Sequence, residues 1–213
     1  MNQEYLNHKL TYTEDGKLLD AFGHAVMMDW EDEIMKRQAS SICQKGGDIL
    51  NVGFGMGIID TYIEEHRPRT HWIIEGHPDV QRKIIEDGWL KKPHVKVIFK
   101  PWQEVLYHLP KFDGIYFDTW AEEQKEFDAH VHNILKPDGV YTFFNNPRGD
   151  ERGIHIADDS FEILKDHFNF ELERFEIPHI DSIESQRTDG EYYWHPNNKI
   201  YWNPICTIRP EFR

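Results

Sequence analysis

Residues 48–60 read DILNVGFGMGIID, and this stretch decides the fold. Asp48–Val52 is a short apolar run of buried-strand type, preceded by Gly46 and Gly47. Gly53-Phe54-Gly55-Met56-Gly57 then breaks the chain sharply, and a helical pattern runs on to about His66. Glycines let such a turn be tight and let a ligand approach the backbone. In an open α/β sheet, a strand, a glycine loop and a helix in that order mark the nucleotide end. A second strand run, His71–Glu75 (HWIIE), ends on an acid followed by Gly76 and His77. An acid about 20 residues beyond the glycine loop is placed to take both hydroxyls of a ribose.

Strands and helices keep alternating outward from this unit. A helix is expected over Asp79–Trp89, a strand over Val95–Phe99 and a helix from about Trp102. Phe112–Asp118 (FDGIYFD) is the next strand, with a helix from about Glu122 to Leu135, a KPDG turn at Lys136–Gly139 and a strand at Val140–Phe144. The last third is less regular: a helix from about Asp158, then strands at Phe170–Glu176 and Lys199–Ile208. Upstream, a helix runs from Asp29 or Trp30 to about Cys43, with Asp29 as a plausible N-cap and Glu31, Asp32 and Glu33 in its first turn. Residues 1–28 are polar and mixed, with a turn at Glu14–Lys17. The expected architecture is α/β: a mostly parallel, seven-stranded, Rossmann-like sheet with helices on both faces. The chain reads as a single domain over 1–213, with a lid and helix in 1–45, a cofactor-binding core in 46–145 and substrate-side strands in 146–213.

Lys and Arg number 24 against 38 Asp and Glu, so the 213-residue chain carries a formal charge of -14. A phosphate backbone needs a basic face and an anionic membrane surface repels an acidic one, so nucleic acid and membrane are not expected partners. An acidic cleft instead concentrates small cations. No apolar run approaches a membrane span, and the polar start MNQEYLNHKL is not a signal peptide. Cys43 and Cys206 form no CxxC and have no evident base, which fits a reducing cytoplasm and gives nucleophilic catalysis no support. The 13 histidines show no HExxH, and no Cys/His set has zinc spacing, so no metal is expected.

A dinucleotide fingerprint needs Gly or Ala at the sixth position of the glycine pattern, beside a pyrophosphate. Here that position is Ile58. The departure disfavours a nicotinamide cofactor and suits S-adenosylmethionine, which has no phosphate. Asp118 ends the fourth strand in IYFDTW, where ligands of such sheets bind and its position favours a functional role over the alternative that it or Thr119 caps the next helix. Glu31, on the sequence alone, is an acid complementing a helix dipole.

The chain resembles the guanidino-methyltransferase group of class I methyltransferases, which includes guanidinoacetate N-methyltransferase and the fungal protein arginine N5 (delta)-methyltransferase. The matching pieces include MMDWEDEIMKR (Met27–Arg37), GGDILNVGFGMGIID (Gly46–Asp60), HWIIEGHPDV (His71–Val80), PWQEV (Pro101–Val105), FDGIYFDTW (Phe112–Trp120) and LKPDGVYTFFN (Leu135–Asn145). The resemblance implies that Gly53, Gly55 and Gly57 cradle the methionine end of S-adenosylmethionine, with S-adenosylhomocysteine as product. It implies that Glu75, with Gly76 and His77, holds the ribose, and that Trp102 and Gln103 lie by the adenine. Met35, Phe54 and Met56 would line the cofactor pocket. Glu31 and Asp118 would grip a guanidinium, with Trp120, Asn145, Arg148 and Tyr193 on the substrate side and the N-terminal segment closing over them. The loop Asn146–Gly149 departs from the guanidinoacetate enzyme's sequence.

Guanidinium is planar and arrives charged, and its nitrogens are poor nucleophiles. Two carboxylates can fix its plane, offset the repulsion from a sulfonium and accept a proton. Asp118 is expected to be the base and Glu31 to orient the group. The expected reaction is methylation of a guanidino nitrogen on arginine or an arginine-like small molecule, guanidinoacetate included. A protein arginine delta-methyltransferase is the alternative, since the length leaves room for a short lid but not for a separate recruiting domain. A nicotinamide-dependent oxidoreductase and a non-catalytic cofactor-binding module are more distant readings, and a homodimer is left open.

Overall fold

The computed structural model describes residues 3–119, 124–145, 156–178 and 199–212. The polar N-terminal stretch forms more structure than its sequence announces. After α1 (Gln3–Asn7), three short strands, β1 (Thr11–Tyr12), β2 (Lys17–Leu19) and β3 (Ala25–Met28), pair antiparallel in that order. The turn expected at Glu14–Lys17 closes the first hairpin: Thr13 N–H donates to Lys17 O, and Lys17 N–H donates to Thr13 Oγ1. Leu18, Ala25, Met27 and Met28 bury the inner side of this small sheet.

A 3-10 turn at Asp29–Glu31 leads into α2 (Asp32–Ile42). The start differs from the expected one. Asp29 does not cap; Glu31 Oε1 accepts the Met28 N–H at 2.8 Å, so a buried acid closes the turn. Ile34, Met35, Gln38, Ala39 and Ile42 then recur at helical spacing and bury one face against the main sheet.

The main sheet has seven strands: β4 (Asp48–Val52), β5 (Thr70–Ile74), β6 (Val95–Ile98), β7 (Phe112–Phe117), β8 (Leu135–Phe143), β9 (Phe168–Glu176) and β10 (Ile200–Ile208). Their order is β6-β5-β4-β7-β8-β10-β9. The first five in that order are parallel, and β10 runs antiparallel to both β8 and β9. Helices α3 (Ile58–Glu65), α4 (Pro78–Glu86), α5 (Lys125–Ile134) and α6 (Asp158–Leu164) complete the layers. Alternation along β7 serves two cores. Ile115 and Phe117 pack with Phe127, Val131 and Tyr141 on one face, while Tyr116 packs with Met35, Ile59 and Ile63 on the other. The chain leaves β4 for β5 and β6 on one side and later returns for β7 and β8 on the other, so the switch point lies beyond the carboxyl ends of β4 and β7.

Two expected elements change. The segment after β6 forms only 3-10 turns, Trp102–Glu104 and Leu106–His108. Pro101 and Pro110 bracket it, leaving too little chain for a stable helix. The KPDG sequence is not a separate turn: β8 starts at Leu135 and absorbs Lys136–Gly139 as a register shift opposite Phe112 and Gly114.

Candidate active site

The switch point opens into a solvent-connected cleft. Its floor is where β4 and β7 end side by side. Asp118 N–H donates to Val52 O at 2.9 Å. Gly53 has φ +95, and a Cβ there would overlap the Asp118 carbonyl oxygen. Only glycine allows this approach, so the first residue of the loop and the strand-end acid are locked together.

Glu75 ties the opposite wall. Its Oε2 accepts the Phe54 N–H at 2.9 Å and its Oε1 accepts the His77 N–H at 2.6 Å. Burial pushes its pKa up to about 7, against the pull of these amides. Gln81 Nε2 donates to the Glu75 and Gly76 carbonyls and holds the loop from below. Trp102 is almost fully buried and stands edge-on to Phe117 and Phe127, at 5.7 and 5.5 Å between ring centroids. Gly53, Gly55, Glu75, Gly76, His77, Trp102 and Asp118 all line the cleft.

Other expected cofactor residues stand behind this wall. The Phe54 ring turns into the core, edge-on to Trp89 at 5.4 Å, because Gly57 leaves space only under the loop. Met35 is fully buried with its sulfur 3.2 Å from the Tyr116 hydroxyl. Met56 meets the lid through its backbone, its N–H donating to Met27 Sδ at 3.2 Å. Gln103 is half-buried in the 3-10 turn beside Trp102.

The N-terminal segment is joined to the glycine loop and to the start of α4 by four ties that the sequence did not show. Tyr12 Oη donates to Gly55 O at 2.9 Å, and Met27 receives the Met56 amide. His77 Nδ1 accepts the Asp79 N–H, which fixes the proton on Nε2, and Nε2 donates to His8 O at 3.0 Å. Leu10 N–H donates to Asp79 Oδ2 at 2.7 Å. Tyr5, Leu18, Val26 and Met27 thereby become cleft residues.

The acids meet around two tyrosines. Asp118 is half-buried, and burial pushes its pKa up to about 7; Tyr116 Oη, donating to Oδ2 at 3.2 Å, pulls it the other way. Glu31 is fully buried. The Tyr116 and Tyr201 hydroxyls are pushed well above their ordinary pKa, first by burial and then by charges that include both Asp118 and Glu31. Glu31, from the turn before α2, and Asp118, from the end of β7, thus both act electrostatically on the same two buried hydroxyls. Tyr201 Oη accepts the Asn145 N–H at 2.7 Å and Gln38 Nε2 at 3.2 Å. The Asn145 side chain is committed to the frame: Nδ2 donates to Trp202 O and Oδ1 accepts the Ala157 N–H. Trp120, Arg148 and Tyr193 lie outside the described residues. Among the described residues, no group of three or more His, Cys, Asp and Glu is placed to hold a metal ion, and no helix is long and apolar enough to cross a membrane.

The sequence profile of the family described as guanidinoacetate N-methyltransferase matches residues 1–150. The chain is 36% identical over 229 residues to protein arginine N-methyltransferase 2 of Yarrowia lipolytica, covering 96% of this chain and 47% of that protein. It is 36% identical over 211 residues to the protein of the same name from Candida glabrata, covering 90% and 51%. The chain thus spans about half the length of the curated relatives it matches. The fold resembles that of spermidine synthase from Thermotoga maritima, with a TM-score of 0.64 at 14% identity, covering 94% of this chain and 68% of that one.

Proposed function

From the premise that the chain belongs to the guanidinoacetate N-methyltransferase family, we propose that it is an S-adenosylmethionine-dependent enzyme that methylates a guanidino nitrogen of arginine or an arginine-like small molecule. The observation that carries the reading is Asp118 lining the cleft with Gly53, Glu75 and Trp102, while the buried Glu31 acts on the same Tyr116 and Tyr201 hydroxyls as Asp118 does.

The residues fit the cofactor. Gly53 presents bare backbone to the cleft, Glu75 offers a carboxylate for ribose hydroxyls and Trp102 offers an aromatic wall. Ile58 at the start of α3 is no obstacle, because no pyrophosphate has to be seated. When bound, S-adenosylmethionine supplies an electrophilic methyl group on a sulfonium. Glu31 and Asp118 hold the guanidinium plane by charge-assisted hydrogen bonds and offset the two positive charges brought together. Asp118 accepts the proton that the attacking nitrogen loses. A carboxyl held near 7 by burial is suited to that work, since it ionises close to neutral pH without being too weak a base. Tyr12 and Met27 tie the N-terminal segment to the loop through its Gly55 carbonyl and Met56 amide.

A second reading, protein-bound arginine as the acceptor, is favoured by the names of the relatives. The acidic charge and the two buried free thiols suit a cytoplasmic protein, with neither nucleic acid nor membrane as partner and a homodimer as one arrangement. The test is a labelled-methyl assay across arginine, guanidinoacetate, related guanidines and basic proteins, with mass spectrometry locating the methyl. Transfer to a guanidine is expected, and Asp118→Asn is expected to lower kcat by ~10³-fold with cofactor binding intact. Transfer to no guanidine overturns the reading.

A further inference from the structure

The end of β7 carries a hydroxyl with two partners and one hydrogen. Tyr116 is fully buried on the α2 side of the sheet, and its Oη lies 3.2 Å from Met35 Sδ and 3.2 Å from Asp118 Oδ2. Residues two apart on a strand share a face, so the pleat that sinks Tyr116 into the core brings Asp118 out above it toward the cleft. A carboxylate is a strong acceptor and a thioether a weak one. The hydrogen therefore goes to Asp118 while that acid is ionised. It goes to the sulfur when Asp118 carries a proton.

We propose that Tyr116 is the positioning residue for the base: it holds Oδ2 of ionised Asp118, leaves Oδ1 to face the guanidinium, and turns to Met35 once the proton has arrived. The proposal rests on the reading of Asp118 as the base. During transfer, a guanidino nitrogen forms a bond to the methyl carbon and the sulfur–methyl bond breaks. Its electron pair stays on sulfur, and the N–H proton passes to Asp118. Two cations and a carboxylate become one methylated guanidinium, a thioether and a carboxylic acid. Tyr116 favours the ionised acid before the step and accommodates the neutral acid after it.

The groups around Asp118 leave this donor a distinct part. Glu31, from the turn before α2, is an acid, and Tyr201 approaches from β10. Tyr5, Glu75 and His77 are the other titratable residues among the described lining of the cleft. Against burial, the Tyr116 hydrogen bond is the influence that draws the Asp118 pKa down.

The pH profile of kcat for Tyr116→Phe, at saturating cofactor and guanidine, tests the proposal. Saturation keeps the Glu75 ionisation out of the profile. The acidic limb is expected to rise by about one pH unit, giving a roughly eightfold loss at pH 6.5 that closes to within about twofold at pH 9. An unmoved limb, or a loss equal at all pH values, overturns the proposal. Replacing Tyr116 by 3-fluorotyrosine keeps the ring and strengthens the donor, so the limb is expected to fall; this holds the test open if the phenylalanine variant does not fold. A limb that stays or rises with fluorotyrosine also overturns it. If Asp118→Asn keeps turnover, the base reading itself fails. If Asp118→Asn is inactive and the limb ignores both changes at Tyr116, only the positioning role fails.

Discussion

The two halves of the cleft are made of different material. The cofactor half is largely backbone: Gly53 against the Asp118 carbonyl, the Phe54 and His77 amides on Glu75, and the Gly55 carbonyl under Tyr12. All but the lid comes from one strand–helix–strand unit and the strand beside it. The half proposed for the guanidine is made of side chains from separate elements: Glu31 before α2, Tyr116 on β7, Asp118 just after it, and Tyr201 on β10. The first half forms whenever the sheet forms. The second exists only after long-range packing has brought its members together. Damage in the first should show in folding and cofactor binding, and damage in the second in turnover.

The largest effect is expected at Gly53→Ala. A Cβ there would occupy the space of the Asp118 carbonyl, and φ +95 is strained for any L side chain. Both faults act on backbone, so relaxation is expensive. Denaturant unfolding should show a loss of about 3 kcal/mol or more, together with lost cofactor binding. A near-native midpoint would mean that the two strand ends are less tightly joined than described. Glu31→Gln probes the other half. The amide keeps an oxygen to accept the Met28 N–H, so the turn before α2 should survive, with stability changed by less than about 1 kcal/mol. Loss of the charge should lower kcat/KM for the guanidine by ~10²-fold. If stability falls and turnover does not, Glu31 is only a cap.

The same division explains what the sequence made legible. Asp48–Val52, the glycine loop, Glu75 and Asp118 are local patterns: a short apolar run, a break, an acid at a strand end. The structure brings Val52, Gly53, Gly55, Glu75 and Asp118 to one crevice. The lid sheet was not legible, because strands of two to four residues are too short to show a period and their ties run to backbone atoms of distant loops. Tyr116 and Tyr201 are core aromatics, and their hydroxyls reach Met35, Asn145 and Gln38 on other elements, which no local pattern shows. The resemblance placed Phe54 in the pocket, yet its ring packs beneath the loop against Trp89 and Gly57. Glu31 looked like a first-turn acid and is one as well as a candidate ligand, so the sequence signal for the cap hid the other role.

A pH experiment compares the halves in the free protein. Glu75 and Asp118 both titrate near 7 in the fold, against about 4 in an unfolded chain. Between those values the native state keeps protons that the unfolded state releases. Stability should therefore fall as pH rises from 5 to 8, by roughly 2–3 kcal/mol for each of the two groups. His71, whose pKa the Asp60 and Glu64 carboxylates raise despite burial, tilts the curve the same way. Glu64, held down to about 2, acts only at lower pH. The informative quantity is thus the difference between variants. Asp118→Asn should remove part of the slope, Glu75→Gln should remove another part, and parallel curves for wild type and Asp118→Asn would contradict the assigned ionisation.

The smallest expected effect lies where the lid touches the backbone half. Tyr12 Oη donates to the Gly55 carbonyl, and Gly55 packs against Met27. Tyr12→Phe removes one hydroxyl from an already closed structure. The lost bond is worth about 1 kcal/mol and lies between the lid and the loop that the cofactor must enter. Global unfolding should barely change, because the main sheet does not use this bond. Cofactor dissociation should quicken by about fivefold, since the lid opens more often while the loop keeps its shape. Stopped-flow displacement of bound cofactor reads this directly. A slower association with unchanged dissociation would place Tyr12 in shaping the loop before binding, and would move the lid from the role of a cover to that of a part of the cradle.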